Sequence, residues 1–585
     1  MLFGLLWFDA GGRSAIAQQE NSPNRPSDNL SPETIPPEIL EQEERLQNPP
    51  VPELPSTFPA EEQPTLELNP AEQTPEPPVL ETPVPDILSP ETPKTQFLVG
   101  EIELLGMTLS PAQLTITVEG VEVSISELIA DIEGQIATLD ELLRLRSSIT
   151  EAYIAAGYIT SGAFIPEQAF SEGGAVQIQI VEGGLEEIEI TGLRRLRPSY
   201  VQQRIQSRTA RPLNQDDIET ALQVLQRDPL IDTVDAQLLA GSGPGQSILL
   251  LNLAEAPAFG AGISANNHRS PIVGSTQINP YVSYTNLLGV GDRIDLSYSL
   301  TEGLGSYNIR YEVPINAKDG SLSLSIANGS NRIVESEFRD LNIEGNSSNY
   351  SLGFRQPLIK SPNSEFALGL TFDLRRSEST IFDNAEQLSR TNVSALRFSQ
   401  DWVERTPSRV LAARSQFSLG LDIFDATRSD VSPDGQFVSW QGQFQWVQQL
   451  QKNRLLITRL SSQLTPNALL SLEQFSLGGI NTVRGYRETQ QLTDNGLAAS
   501  VEMRLPLSNR PNVLQLTPFL EGGIGWNSDE TTSVEGLASL GVGLLWQIND
   551  QTKLRLDYGY PLIDTDAEGD SLQENGFSFA LDWEL

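Results

Sequence analysis

From Pro257 to Leu585 apolar and polar residues alternate in short segments, and this pattern narrows the possible folds more than any other feature of the chain. Ile294, Leu296, Tyr298 and Leu300 alternate with Arg293, Asp295, Ser297 and Ser299. Leu554, Leu556 and Tyr558 alternate with Lys553, Arg555 and Asp557, and the last segment sets Phe577, Phe579, Leu581, Trp583 and Leu585 opposite Ser578, Ala580, Asp582 and Glu584. A period of two is that of a strand with one apolar face. The segments recur about every 20 residues with Gly, Asn, Asp and Pro between them, which places about sixteen strands in residues 257–585. Alternation alone does not separate a soluble sandwich from a membrane barrel. Strands of about ten residues, charges at mid-strand on the polar face and aromatic residues towards strand ends favour the barrel. A closed barrel also satisfies every backbone group without an edge, as lipid demands. Its lumen is wide enough to fill with water unless something plugs it.

Upstream, a repeat appears. Glu101-Ile102-Glu103-Leu104-Leu105-Gly106 returns as Glu187-Ile188-Glu189-Ile190-Thr191-Gly192, each copy an alternating strand that ends on a glycine turn. In the first copy, helical spacing over 126–135 and 139–156 is followed by two strands, 158–165 and 176–181. Leu142, Leu145, Ile149, Tyr153 and Ala156 form one apolar helix face. The second copy repeats the order over 198–207, 214–227, 230–239 and 247–253. The unit is βααββ, present twice, over 96–183 and 184–256.

Residues 20–95 hold 19 of the 38 prolines, with 16 acidic and three basic residues. Such a segment cannot bury a core and self-repels, so 18–95 reads as a disordered Pro/Glu-rich linker. Within it, the proline-free part of 37–47 carries good helix formers and is a candidate short helix. Met1–Phe8 is apolar, and Ala15-Ile16-Ala17 before Gln18 has the form of a signal peptidase site, so 1–17 reads as a signal peptide short of its basic end.

The net charge is -39, which disfavours nucleic acid and other polyanions. With no cysteine, thiolate chemistry and Cys-ligated metals are excluded, and one histidine, His268, cannot build a His-rich metal site. His268 lies at a strand end and reads as an exposed turn residue. No G-x-x-x-x-G-K-[ST] motif for nucleotide phosphates occurs. The glycine-rich pieces Gly241–Gly245 and Gly522–Gly525 precede no helix N-terminus that would hold a phosphate. No catalytic residue, cofactor or metal is expected, and the chain is read as no enzyme.

The strongest local motif lies in a long connection between the eleventh and twelfth strands: Gly478-Gly479-Ile480-Asn481-Thr482-Val483-Arg484-Gly485-Tyr486-Arg487. The Val-Arg-Gly-Tyr tetrapeptide, the strand number and the two preceding βααββ units resemble the outer-membrane POTRA-barrel superfamily. Two such units after a proline-rich stretch look like its two-partner secretion branch, the TpsB transporters typified by the haemolysin and filamentous-haemagglutinin secretion proteins. Ala155–Pro166 is similar to the first POTRA unit of that branch. The resemblance covers about residues 96–585.

This resemblance implies a multidomain chain with two periplasmic POTRA domains followed by a 16-stranded antiparallel transmembrane β-barrel, in the outer membrane of a diderm bacterium. It implies secretion of a dedicated exoprotein with an N-terminal secretion domain, captured unfolded by the POTRA domains and passed through the barrel, with outer-membrane lipid around a monomer and neither nucleic acid nor nucleotide as partner. The motif loop is expected to fold into the lumen and to bring Val483, Arg484, Gly485 and Tyr486 against an F-x-D-x-G pattern, here Phe519, Glu521 and Gly523 with Glu in place of Asp. Alternation on that strand directs Phe519 and Glu521 inward. An Arg484–Glu521 latch follows, for which charge reversal at both positions should rescue single-site defects. The branch also suggests that the 37–47 helix plugs the resting pore. Two other readings stay open: an outer-membrane assembly factor of the same superfamily, and a nonspecific porin.

Overall fold

The structure is a computed structural model that describes residues 96–585 apart from positions 119, 337, 383–385, 430–432, 529–534, 566–568 and 570. The expected signal peptide, the Pro/Glu-rich linker and its 37–47 helix lie outside the described residues.

Both βααββ units are present. In the first, Gln96–Leu105 runs parallel to Gly174–Val181, which pairs antiparallel with Gly162–Phe164. In the second, Gly184–Thr191 runs parallel to Gln246–Glu255, which pairs antiparallel with Ile231–Ala240. Helices start where the sequence supplies caps: Ser124 with Glu127, and Thr138 with Glu141, form reciprocal capping boxes. On helix Leu139–Ala155 the buried stripe is Leu142, Leu145, Ile149, Ala152 and Tyr153. Ala156, expected on that stripe, is the exposed C-cap. The helix expected over 126–135 covers only Ile125–Ala130, because the chain turns at Asp131 and takes a left-handed residue at Gly134. The strand expected over 158–165 shrinks to Gly162–Phe164. The first unit also carries a hairpin, Thr115–Val118 with Val121–Ser124, that the periodicity did not reveal.

A carboxylate closes each unit in the same way, buried at Glu182 and half-buried at Glu255. Glu182, just after strand Gly174–Val181, accepts hydrogen bonds from the backbone N–H groups of Thr108 and Leu109 at 2.8 and 3.2 Å and from the Tyr153 hydroxyl at 2.9 Å. Glu255 accepts from the backbone N–H groups of Arg194, Arg195 and Leu196 at 2.7, 2.8 and 2.8 Å. Each thus gathers the loop that follows the repeated Gly106 or Gly192 turn. Burial pushes both carboxyls up, but these donors, joined at Glu182 by the Thr108 hydroxyl, outweigh it and hold both below the ordinary carboxylate value.

The two units meet without a linker: the Leu213 N–H donates to the Gly183 carbonyl at 2.8 Å and the Gln215 N–H to the Gly157 carbonyl at 2.9 Å. Beyond Glu255 the chain enters a closed barrel of sixteen antiparallel strands, from Phe259–Asn266 to Phe577–Glu584, which pair with each other to complete the ring. Outward side chains are large and apolar, as at Leu352, Leu520 and Leu540, while their neighbours in sequence are buried against the lumen. Strand lengths run from 8 to 21 residues instead of about ten. The longest, Ser364–Ile381 and Glu386–Thr406, continue pairing beyond an apolar outer band as polar, charged sheet, which lipid thickness does not limit.

The second unit docks on the turns at the near end of the barrel. Arg204 Nε lies 2.7 Å from Asp319 Oδ1, with Arg208 at 3.2 Å and Lys360 at 3.0 Å from Oδ2. The Arg197 N–H donates to the Gly289 carbonyl at 3.0 Å. Burial alone would raise the Asp319 carboxyl, but Lys360 and the two arginines hold it below the usual range. His268 sits in the turn after the first barrel strand, half-buried and not exposed as the sequence suggested. Its backbone N–H donates to Asn266, and the Gln573 side chain grips the backbone carbonyls on either side of it, at Asn267 and Arg269.

Candidate functional site: a loop bound across the barrel lumen

The connection 465–494 leaves the end of the barrel farthest from the βααββ units. It turns through Ser471–Glu473, forms a short ladder between Phe475–Leu477 and Gln491–Thr493, and ends in a folded tip. The tip is built on itself: the Gly478 N–H donates to Thr482 Oγ1 at 2.9 Å, the Gly479 N–H to the Val483 carbonyl at 3.1 Å and the Ile480 N–H to Glu488 Oε1 at 2.6 Å.

Arg484 is 3 % exposed, and Phe519 and Glu521 face it from strand Leu514–Trp526. Glu521 Oε1 receives Arg484 Nε at 3.0 Å and NH2 at 2.6 Å, while its Oε2 receives the Arg484 backbone N–H at 2.7 Å. The remaining guanidinium nitrogen, NH1, reaches Glu502 at 3.0 Å and Asp557 at 2.9 Å. Arg484 Cζ also stacks 3.5 Å from the centroid of the Phe519 ring. The third position of the pattern has a steric role: a Cβ on Gly523 would stand 2.4 Å from Leu477 Cδ1 of the loop. Gly485, at φ +95°, lies against strand Thr552–Pro561 so closely that a Cβ would meet the Gly559 carbonyl oxygen at 2.7 Å. Val483 is fully buried beside Leu477, Ala498 and Leu537, and the Tyr486 hydroxyl lies 2.8 and 2.9 Å from the carbonyl oxygens of Ala538 and Ile563.

Of the seven residues singled out in the sequence, Arg484 therefore meets Phe519 and Glu521, Gly523 meets the loop through Leu477, and Val483, Gly485 and Tyr486 seat on other parts of the wall. The sequence placed Arg555 and Asp557 only on a polar strand face and did not single out Glu502 or Arg504; Arg555 bonds Glu502 and Asp557 at 2.8 and 2.6 Å, and Arg504 lies 3.2 Å from Glu502. Arginines 484, 504 and 555 face Glu502, Glu521 and Asp557, and Arg459 lies within electrostatic reach of Glu502, so the cluster does not share the acidic excess of a chain that carries -39 overall. The only signal for the missed residues was polar alternation within Val501–Pro506 and Lys553–Tyr558, which says that they face inward but not whom they meet.

Ionised groups so deeply buried hold geometry better than they add stability, since desolvation cancels much of the attraction. The arrangement fixes a folded loop inside a tube that would otherwise hold water. Two βααββ units, a closed 16-stranded barrel and a lumen loop bound through its Arg define an outer-membrane barrel with periplasmic POTRA domains. Residues 245–545 match the haemolysin secretion/activation proteins ShlB/FhaC/HecB, and residues 113–183 match the ShlB-type POTRA domain. The chain belongs to this haemolysin secretion/activation family, whose members are outer-membrane transporters of two-partner secretion. It is 24% identical over 447 residues to the outer membrane transporter CdiB of Dickeya dadantii, covering 72% of this chain and 78% of that one. It is 22% identical over 418 residues to the heme/hemopexin transporter protein HuxB of Haemophilus influenzae, covering 68% and 72%. The solved structure of CdiB from Escherichia coli superposes with a TM-score of 0.65 at 20% identity, covering 94% of this chain and 99% of that one.

Proposed function

We propose that the chain exports one dedicated exoprotein with an N-terminal secretion domain, and that loop 465–494, latched by Arg484, is the gate of its pore. The observation that carries this reading is the three-carboxylate cradle around Arg484: an elaborate device for holding a loop in a lumen has a use only if the lumen must sometimes be clear. The POTRA domains, taken as 96–183 and 184–256, receive the unfolded partner at open sheet edges, where backbone hydrogen bonds bind an extended chain with little sequence demand. Strands Gly184–Thr191 and Ile231–Ala240 stand at the two edges of the second sheet and supply such sites. Docking on Asp319 keeps that sheet at the barrel mouth. Folding of the cargo outside supplies the driving force, since no nucleotide motif is present in the sequence. The barrel works as a monomer, its apolar outer band in lipid and its ring closed without a second copy. Residues 1–17 direct export, and 37–47 adds a removable plug, to be tested by comparing resting conductance with and without that segment.

Depletion separates this reading from its rivals. Loss of one secreted protein with a normal outer-membrane profile is expected. General loss of barrels would indicate an assembly factor, and a steady open-pore conductance that ignores the POTRA domains would indicate a porin.

A further inference from the structure

A second ion cluster holds the same loop at its other end, with the charges exchanged. At the tip an arginine of the loop enters a cradle of wall carboxylates; at the base a carboxylate of the loop, Glu473, enters a cradle of wall arginines. Arg397 NH2 donates to both Glu473 oxygens, at 2.8 and 3.0 Å, while its Nε reaches Asp373 at 2.5 Å and its NH1 reaches Ser418 at 2.9 Å. Arg375 adds an ion pair to Glu473 at 3.4 Å and a hydrogen bond to the Leu472 carbonyl at 2.9 Å. Glu473, Arg397 and Asp373 are all buried, at 6, 7 and 1 % exposure.

The tip has seats of its own, in the burial of Val483 and Tyr486 and in Arg487 on Glu335 and Glu574, but the base is tied to the wall through both arms of the loop. Gln463 Nε2 donates to the carbonyls of Glu473 and Asp494, at 2.9 and 3.0 Å, and so pins both arms of the loop to one strand of the wall. Leu469, Leu470 and Leu472 pack with Val393, Ala395 and Phe437, and apolar burial of that kind does not exchange for water as an ion pair does. Between base and tip stand Gly478 and Gly479, at φ +103° and +96°, adjacent residues whose backbone turns with little steric penalty.

We propose that Glu473 is a permanent anchor, and that the loop opens as a hinged arm in which the tip 480–487 swings about Gly478-Gly479 while Glu473 stays on Arg397. This deepens, and rests on, the assignment of the loop as the gate. Glu473 is a positioning residue: it sets where the hinge stands, and hence whether the returning tip meets Glu521.

The full-length chain in outer-membrane vesicles tests this, because a protein without cysteine accepts single reporters. Cys replaces either Leu469, in the base cluster, or Val483, in the tip; both positions are buried, at 1 and 0 % exposure. Each labelling rate is compared with the same reporter in the otherwise unchanged chain, and barrel folding is checked by heat-modifiable mobility. Arg484→Ala should speed labelling at 483 about tenfold, the scale of a lost charged hydrogen bond, and leave 469 protected. Glu473→Gln should speed labelling at both. Arg397→Lys, which keeps the buried charge and so guards against misfolding, should do the same by a smaller factor, and combining it with Glu473→Gln should add nothing further. Exposure of 469 by Arg484→Ala to the same extent as by Glu473→Gln would overturn the fixed anchor, as would protection of both reporters in Glu473→Gln. Failure of the gate assignment itself would show differently, as a tip reporter that stays protected while exoprotein is stalled in the barrel.

Discussion

Arg484 and Glu521 meet through three hydrogen bonds, two from the guanidinium and one from the arginine's own backbone N–H, so the carboxylate reads the position of the loop's main chain as well as its charge. That third bond changes what the pair can tolerate. A carboxylate at 484 would face Glu502 and Asp557, and an arginine at 521 would present its own donors to the backbone N–H it should accept from.

Reversing both charges is therefore expected to fail. Arg484→Glu with Glu521→Arg should secrete no better than either single variant, against the simple expectation from sequence. Leaving one member of a buried pair alone costs about 3–5 kcal/mol. Secreted exoprotein per folded transporter measures the outcome, and restored secretion in the double variant would mean that Glu502 and Asp557 are not part of the cradle.

Gly559 should be as intolerant as Gly485. A Cβ at 559 would meet Gly485 N at 2.7 Å and the Arg484 carbonyl carbon at 2.8 Å, both backbone atoms that have nowhere to move. Gly559→Ala should leave a folded, heat-modifiable barrel whose tip is displaced, with secretion reduced to the level of Arg484→Ala. Normal secretion in this variant would show that tip seating is not required.

Glu182 makes the first POTRA domain acid-sensitive. Its carboxyl is held below the ordinary 4.5, so its contribution is complete above the unfolded pKa and is lost as pH falls through the lower folded one. Glu182→Gln should cost about 1–3 kcal/mol at neutral pH. The difference between the two proteins should vanish in acid, read as differential hydrogen exchange at Thr108 and Leu109 at each pH. A difference independent of pH would assign the stabilisation to packing instead.

Asp319→Asn should free the second POTRA domain from the barrel mouth. Three cations converge on this one carboxylate, and the neutral amide leaves them to repel one another. The distance distribution between spin labels on helix Pro198–Gln206 and the barrel rim should broaden, and secretion should fall while the barrel stays folded. An unchanged distribution would place the docking in the Arg197–Gly289 hydrogen bond and in the Tyr200 ring, which lies so close to Gly291 that a Cβ there would stand 2.4 Å from it.

Local periodicity and one linear motif carried most of the architecture. A strand's alternation states which way Phe519 and Glu521 point, and the spacing of Leu142, Leu145 and Ile149 states which face of a helix is buried, because both follow from backbone geometry alone. The convergence of Glu502, Asp557 and Arg555 does not follow, since it depends on how strands distant in sequence are staggered around the ring. Glu473 was invisible for the same reason: its partners Arg375 and Arg397 lie on two earlier strands, and only the folded loop brings them together. The paired nests at Glu182 and Glu255 were closer to legible, each at the end of the last strand of its unit, but a carboxylate at a strand end ordinarily reads as solvated. Strand length misled because the lipid limits only the apolar part of a ladder.

Gating requires the tip to leave the lumen when a chain passes, and the reactivity of a single cysteine at position 483 measures this directly. Val483 is fully buried at rest. Val483→Cys should resist a water-soluble thiol reagent in the idle transporter and react while an exoprotein is stalled across the barrel by a folded C-terminal domain. A cysteine that stays protected with the exoprotein stalled would contradict the gate, and with it the role of Arg484 as its latch.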